Sequence, residues 1–412
     1  MTRAPRRLTA LITRCVLALG LLLAAAGCGG GPGHGRVTIM IPWSGNEFRA
    51  FHTLVRSFED DTGIQVDVQV TRALTQQLDA AVAAGAPPDL AMLPSVGAIY
   101  KYADRDEEKA RKLQPLNVPT STYLEPFRGL AEVRGQVYAV PAKVDVKSLV
   151  WFDPTVTERP SPASLRTSGQ WCLGLESGPT SGWPGADWIA DILLAQGGDA
   201  YERWLSGSLS WNSGPLKEAW TTWRNLVGTA AEAAAVRNFG EAAAGMTTEP
   251  RTCSLAHGAL SAMGFEEGQS YDFTTYSPTR RLEVSADFVG MFTDDNPDAE
   301  TFIAYLAGTR AQQTWVNQGA GAAFSADGQV TYGTTVQRRI AGMLRPGSGH
   351  TLCFGAADAM TPDVSAAFYR AVLDYATDGT KDPTRLLDAL DDVQKKLGDS
   401  PVPTGKLCTD PT

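Results

Sequence analysis

Between residues 37 and 94 the chain alternates strand and helix signals, and that alternation constrains the fold more than any other feature. VTIMIP (37–42) is a nearly continuous apolar run, as expected of a strand covered on both faces. In NEFRAFHTLVRSFEDDTG, Phe48, Phe51, Leu54, Val55 and Phe58 fall on one helical face, and Gly63 ends the helix. IQVDVQV alternates as a strand does. TRALTQQLDAAVAAG is a second amphipathic helix, stopped by Gly85 and Pro87-Pro88, and PPDLAMLP supplies a third strand. Strand–helix–strand–helix–strand predicts a parallel sheet with helices on both faces. Ligands of such sheets sit beyond the carboxyl ends of the strands, here Pro42-Trp43-Ser44-Gly45 and Leu93-Pro94-Ser95.

Downstream, GQVYAVPAKVDVKSLVWFDP (135–154) runs from one extended segment through a proline into another. The chain then reads as helical and tryptophan-rich to about residue 245, with TAAEAAAVRNFGEAAAG as alanine-rich helix. EVSADFVGMFTDD reads as a strand. PDAETFIAYLAGTRAQQTWVNQG reads as one helix, with Phe302, Ile303, Leu306 and Trp315 on its apolar side. SAAFYRAVLDYATDG and DPTRLLDALDDVQKKLG add two more helices, and there are no internal repeats.

The first residues are not part of this pattern. Arg3, Arg6, Arg7 and Arg14 precede the apolar run from Cys15 to Ala26, and Ala25-Ala26-Gly27-Cys28 follows. A basic start, a short apolar stretch and small residues mark a secretory signal over 1–27. A cysteine straight after Ala-Ala-Gly looks like a lipoprotein processing site, with lipid on Cys28, although Ala25 stands where leucine is usual. Ordinary secretion is the alternative. GGGPGHG then makes residues 28–35 a flexible tether. The expected location is extracytoplasmic, on the outer face of the cell membrane. Removing 1–27 takes away four arginines and no acid, moving the net charge from -9 to -13. That sign argues against nucleic acid, whose phosphates demand cations. The remaining length fits two domains at roughly 100–200 residues each.

Four cysteines remain, Cys172, Cys253, Cys353 and Cys408. An even number in an exported chain favours disulfides, and four cysteines allow three pairings. Joining sequential neighbours gives Cys172–Cys253 and Cys353–Cys408. No CxxC or Cys/His cluster points to a metal, so neither metal nor cofactor is expected.

No serine lies in GxSxG, and HExxH and the phosphate-cradling GxxxxGK[ST] are missing, so no catalytic residue is assigned. The isolated histidines His52, His257 and His350 read as structural. The chain does have aromatics beside compact polar groups. Trp43 follows a strand end, Trp151 lies within KSLVWFDP, and Trp183 and Trp188 flank Pro184-Gly185-Ala186-Asp187. A sugar offers C–H groups on its faces to an aromatic plate and hydroxyls at its edge to carboxylates, lysine and amides. Trp171, beside a cysteine, reads as packing. Lys143 and Lys147, with Asp145 between them, read as cleft residues at a crossing between domains.

Across roughly residues 36–400 the chain resembles the solute-binding proteins of bacterial carbohydrate ABC importers, most of all their α-glucoside group. FHTLVRSFEDDTGIQVDVQV, AAGAPPDLAMLP, GQVYAVPAKVDVKSLVWFDP, WCLGLESGPTSGWPGADWIADILL and ADFVGMF carry the resemblance. It implies an α/β fold of the periplasmic-binding-protein type II kind, a two-lobed clamp whose hinge is crossed three times. The crossings fall near Lys143, Val284–Asp287 and Phe324–Gly328. They divide the chain into an N-terminal lobe, 36–142 plus 288–325, and a C-terminal lobe, 143–287 plus 326–405. The resemblance implies ligand contacts from Trp43, Ser44, Glu47, Asp89, Lys143, Asp145, Lys147, Trp183, Asp187, Trp188 and Asp287. Gly258 departs from the pattern, standing where relatives often carry a polar amide. The expected partners are a small carbohydrate, the permease subunits of an ABC transporter, and the membrane through the lipid; a monomer is expected. A lipid-anchored glycoside hydrolase, and a receptor for a peptide, polyamine or organic anion, are the other readings.

Overall fold

The computed structural model describes residues 35–103, 112–167, 169–266, 268–318, 323–378 and 382–410; the leader and Cys28 lie outside them. Strands β1 (Arg36–Ile41), β2 (Gln65–Val70) and β3 (Leu90–Leu93) pair in parallel, with β1 in the middle. Helices α1 (Gly45–Thr62) and α2 (Leu74–Ala83) are their crossovers, as the alternation predicts. α1 buries Ala50, Phe51, Leu54, Val55 and Phe58, and ends where Gly63 turns left-handed at φ 75°, a conformation glycine adopts without steric cost. α3 (Val96–Ala103) follows β3.

Next come β4 (Ala139–Val146), β5 (Leu149–Phe152), β6 (Trp171–Cys172), α4 (Trp183–Gln196) and α5 (Gly214–Val227). They are followed by β7 (Leu255–His257), β8 (Asp272–Thr275), β9 (Arg281–Met291), α6 (Pro297–Ala307) and α7 (Thr309–Gln318). The chain closes with β10 (Thr351–Phe354), α8 (Pro362–Thr377), α9 (Thr384–Leu397) and β11 (Cys408–Thr409).

β9 organises the molecule. β4 runs antiparallel along one edge of it, with a register irregularity between Asp287 and Phe288. On its other edge, Arg281–Val284 pairs with β10 and Phe288–Met291 pairs with β3. One long strand therefore belongs to both halves of a two-lobed α/β molecule. A second sheet, in the order β8-β5-β7-β6, lies on the far side of that junction. The segment at Phe324 joins β4 through the Val144 N–H, which donates to the Phe324 carbonyl at 3.0 Å. Cys172 is bonded to Cys253 and Cys353 to Cys408, so one bridge sits beside β7 and the other fastens β11 to β10.

Much of the tryptophan content is interior packing. Trp204, Trp211, Trp220 and Trp223 are fully buried, and the first three surround Phe368 at centroid distances of 5.8, 4.9 and 5.8 Å.

Two expected helices are broken. The one spanning 297–319 divides at Gly308, whose ψ of 143° is extended, leaving α6 and α7. The alanine-rich tract forms a short helix at Ala230–Ala234 and a 3-10 segment at Phe239–Met246. Asn238 separates them: its side chain accepts the Gly240 N–H and its amide donates to Glu176. Local capping of this kind competes with helix continuation, and here it turns Phe239 toward the junction of the lobes.

Candidate functional site

A cavity of about 220 Å3 lies where the two halves face each other across β4 and β9. Its first wall is built from the carboxyl ends of the parallel strands, with Pro42 and Trp43 after β1, Arg72 after β2 and Pro94 after β3. This is where the strand direction places a ligand. The facing wall carries Trp183 and Asp187 from α4, Phe239, Ser261, Asp358 and Tyr369. A larger hollow of about 620 Å3 opens beside α4 and α5, lined in part by Arg166, Glu218 and Tyr276. It holds none of the residues expected from the sequence and none of the buried ion pairs described below.

The floor follows from strand periodicity. Side chains two apart on a strand share a face, so the alternation KVDVK sends Lys143 and Asp145 to one side of β4, with Lys147 just beyond its end. On β9, Asp287 is registered against Lys143 and Ser285 against Asp145. The Lys143 ammonium donates to Glu47 Oε1 at 2.6 Å and lies 3.2 Å from Asp145 and 3.8 Å from Asp287. Burial alone would lower its pKa, but Asp145, Glu47 and Asp287 hold it well above the usual lysine value. Lys147 donates to Asp187 at 3.0 Å and to Asp358 at 2.7 Å. It is likewise held charged against its burial, by Asp187, Asp358 and Glu283.

For the acids the balance falls the other way, because burial disfavours a carboxylate more than the nearby lysine favours it, and their pKa values rise too. Burial pushes Asp187 up to about 7 and Asp287 to about 6, and it raises Asp145 as well. Asp287 still accepts the Trp43 indole N–H at 2.9 Å, and Asp145 accepts the Ser261 hydroxyl at 2.9 Å.

Of the residues expected from the sequence, Trp43, Glu47, Lys143, Asp145, Lys147, Trp183, Asp187 and Asp287 line this cavity. Four do not. Ser44 is exposed and takes a hydrogen bond from Arg72 at 2.7 Å. Asp89 precedes β3, at the opposite end of the sheet, where it accepts the Thr38 N–H and hydroxyl at 2.8 Å each. Trp151 is fully buried among Phe265, Tyr271 and Phe273 and donates to the Gly258 carbonyl at 2.8 Å. Trp188 is 1 % exposed, packed 4.4 Å from Trp171 and stacked on His257. Trp183 and Asp187 are four residues apart on α4 and share a face, whereas Trp188 is rotated off it.

Asp191, one further turn along, accepts the Ser148 hydroxyl at 2.6 Å and meets His257 Nε2 at 2.9 Å. That network fixes α4 against the strands and thereby aims Asp187. The sequence reading missed Arg72, Phe239, Ser261, Asp358 and Tyr369. Asp358 follows the end of β10, so the strand-end rule could have found it. Phe239 was hidden in the alanine-rich tract.

Among the described residues no group of three or more His, Cys, Asp or Glu is placed to hold a metal ion, and no helix is long and apolar enough to cross a membrane. Residues 53–336, more than half of the chain, match the bacterial extracellular solute-binding protein family. The chain belongs to that family. Such proteins bind solutes for ABC importers and are not enzymes. This solute-binding protein is 28% identical over 327 residues to the alpha-glucosides-binding periplasmic protein of Rhizobium meliloti, covering 68% of this chain and 70% of that one. It is 28% identical over 418 residues to the osmoprotective compounds-binding protein of Synechocystis, covering 92% and 98%. Its fold matches that of a bacterial solute receptor described as preferring β-D-galactopyranose, at TM-score 0.73 and 15% identity over 88% of this chain and 99% of that one. It also matches a maltose-bound protein from T. maritima, at TM-score 0.66 and 14% identity over 88% and 99%.

Proposed function

We propose that this protein captures a saccharide of the α-glucoside kind in the cavity between its lobes and delivers it to the permease of an ABC importer. The composition of the cavity is the observation that carries the reading. Aromatic side chains of Trp183, Phe239 and Tyr369 stand on one wall, with hydroxyl-binding carboxylates held in place by lysines along the floor. Hydrogen bonds to charged groups contribute about 1.5–3 kcal/mol each, so a few select a polyhydroxylated solute strongly. The name of the Rhizobium meliloti relative supports the same sugar class.

In this reading the lobes are 36–142 plus 288–325 and 143–287 plus 326–405, and they close on the solute as a monomeric clamp. Closure is driven only by contacts that favour the closed state, and the cavity draws residues from both sides of β4 and β9. The sequence Ala-Ala-Gly-Cys28 supports a lipid tie to the membrane. An organic anion is the weaker reading, because Lys143 and Lys147 are already engaged by carboxylates.

The test is a melting-temperature screen of the purified protein against mono- and oligosaccharides, since a ligand at about 100 times its Kd adds roughly 2.7 kcal/mol. One or more α-glucosides should raise the transition without being cleaved, and Trp183→Ala should remove the shift. An undiminished shift in that variant would refute the site, and product formation would favour a hydrolase.

A further inference from the structure

The interlobe cavity holds more acid than its cations neutralise. Five carboxylates line it, those of Glu47, Asp145, Asp187, Asp287 and Asp358, against the two buried ammonium groups of Lys143 and Lys147. The third cation of the lining, Arg72, is exposed at the rim, where it donates to Ser44 and lies 5.9 Å from the Phe239 ring centre. Behind Lys147 stands a further fully buried carboxylate, Glu283.

Crowded carboxylates shielded from water repel one another unless a proton or a cation intervenes. Burial first, and the neighbouring acids after it, raise Asp187 to about 7 and Asp287 to about 6, so these carboxylates take up protons readily as the pH falls. The alternative is a cation arriving with the solute. The cavity is suited to one: Glu47, Asp187, Asp287 and Asp358 each meet their donors through one oxygen, and Trp183, Phe239 and Tyr369 supply aromatic surface nearby, which itself attracts cations.

We propose that the preferred solute of this cavity is an amino-substituted saccharide, a sugar ring bearing a protonated amine, and that saccharides bearing phosphate or carboxylate are excluded. The proposal rests on the saccharide reading and sharpens it. A ring ammonium placed beside Asp287 or Asp187 takes the place of a retained proton and gains charge-assisted hydrogen bonds, roughly twice as strong as neutral ones, with Glu47 as a further acceptor in the lining. Inside the cavity a phosphate would meet like charge and lysines already paired, with Arg72 at the rim as the one cation of the lining outside those pairs.

Calorimetric titration at pH 6.5 tests this with matched sets. Trehalose, trehalosamine and trehalose 6-phosphate form the first set, and the neutral saccharide giving the largest melting shift forms a second with its amino and phospho forms. The amine-bearing member should bind at least about tenfold more tightly than its hydroxyl parent, and the phosphate should give no binding. In Asp287→Asn and in Asp187→Asn the amine-to-hydroxyl ratio should fall toward one; the partly exposed Asp287 keeps the test open if the buried variant does not fold. An amine that binds no better than its parent, a phosphate that binds as well, or a ratio unchanged in both variants overturns the proposal while leaving the saccharide reading intact. No binding by any saccharide removes both.

Discussion

Lys143 and Lys147 sit four residues apart at the same strand, point to the same side and each hold a group of carboxylates, yet their surroundings differ. Lys143 faces Glu47 on α1 and Asp287 beside the register irregularity of β9. Glu47 is 33% exposed, Asp287 also accepts from Trp43 and Asp145 also accepts from Ser261. Lys147 faces Asp187 on α4 and Asp358 beyond β10, side chains only 5% and 12% exposed. Among described residues each of those two acids takes a side-chain hydrogen bond from Lys147 alone. The same cation is therefore one partner among several at the first position and the sole counterweight at the second.

Lys147→Met should produce the largest effect, because it strands buried acids without a partner. A loss of about 3–5 kcal/mol in urea unfolding is expected. Lys143→Met should cost less, about 2 kcal/mol, since water and the other donors still serve its acids; equal losses would erase the contrast. Third comes pH. Asp187 is held near 7 in the fold against 3.8 when free, so the folded chain keeps a proton that the unfolded chain has released. Its stabilising contribution is complete below about pH 4 and is lost as pH rises through about 7, with a slope no steeper than about 1.4 kcal/mol per pH unit. Stability measured without ligand from pH 4 to 7.5 should therefore fall less in Asp187→Asn than in the wild type. The smallest change in stability, about 1 kcal/mol, is expected for Trp183→Ala, because the ring is only partly buried beside Phe239. Its loss should appear in saccharide binding instead.

The parallel β1–β3 unit was legible because strand and helix periods differ and both repeat cleanly there. The floor of the cavity was legible in part: Lys143, Asp145 and Lys147 stand at alternate positions, which share a face where the chain is extended, although Lys147 falls just beyond β4. Trp183 and Trp188 were harder. Both flank Asp187 in sequence, but helical rotation brings the residue four positions away to the acid's side and turns its immediate neighbour inward. Asp89 misled because it stands beside a strand at its starting end, where it ties β1 to α6 through Thr38 and Asn296. Asp358 and Tyr369 reach the cavity from more than 200 residues beyond Lys143, and nothing local announces a contact that only the tertiary fold creates.

The strand order of the central sheet also bears on timing. Leu93 pairs with Phe288, and β9 then waits for residues 351–354 and 408–409 before that flank is complete. Pairings so distant along a chain form slowly, because long loops must close before they are rewarded. A polypeptide threaded outward from its amino end would thus stay pliable until almost its last described strand had emerged. During that interval the bare flank of β9 at Arg281–Val284 is open to any stray strand, which makes prompt release of the tail a safeguard against clumping.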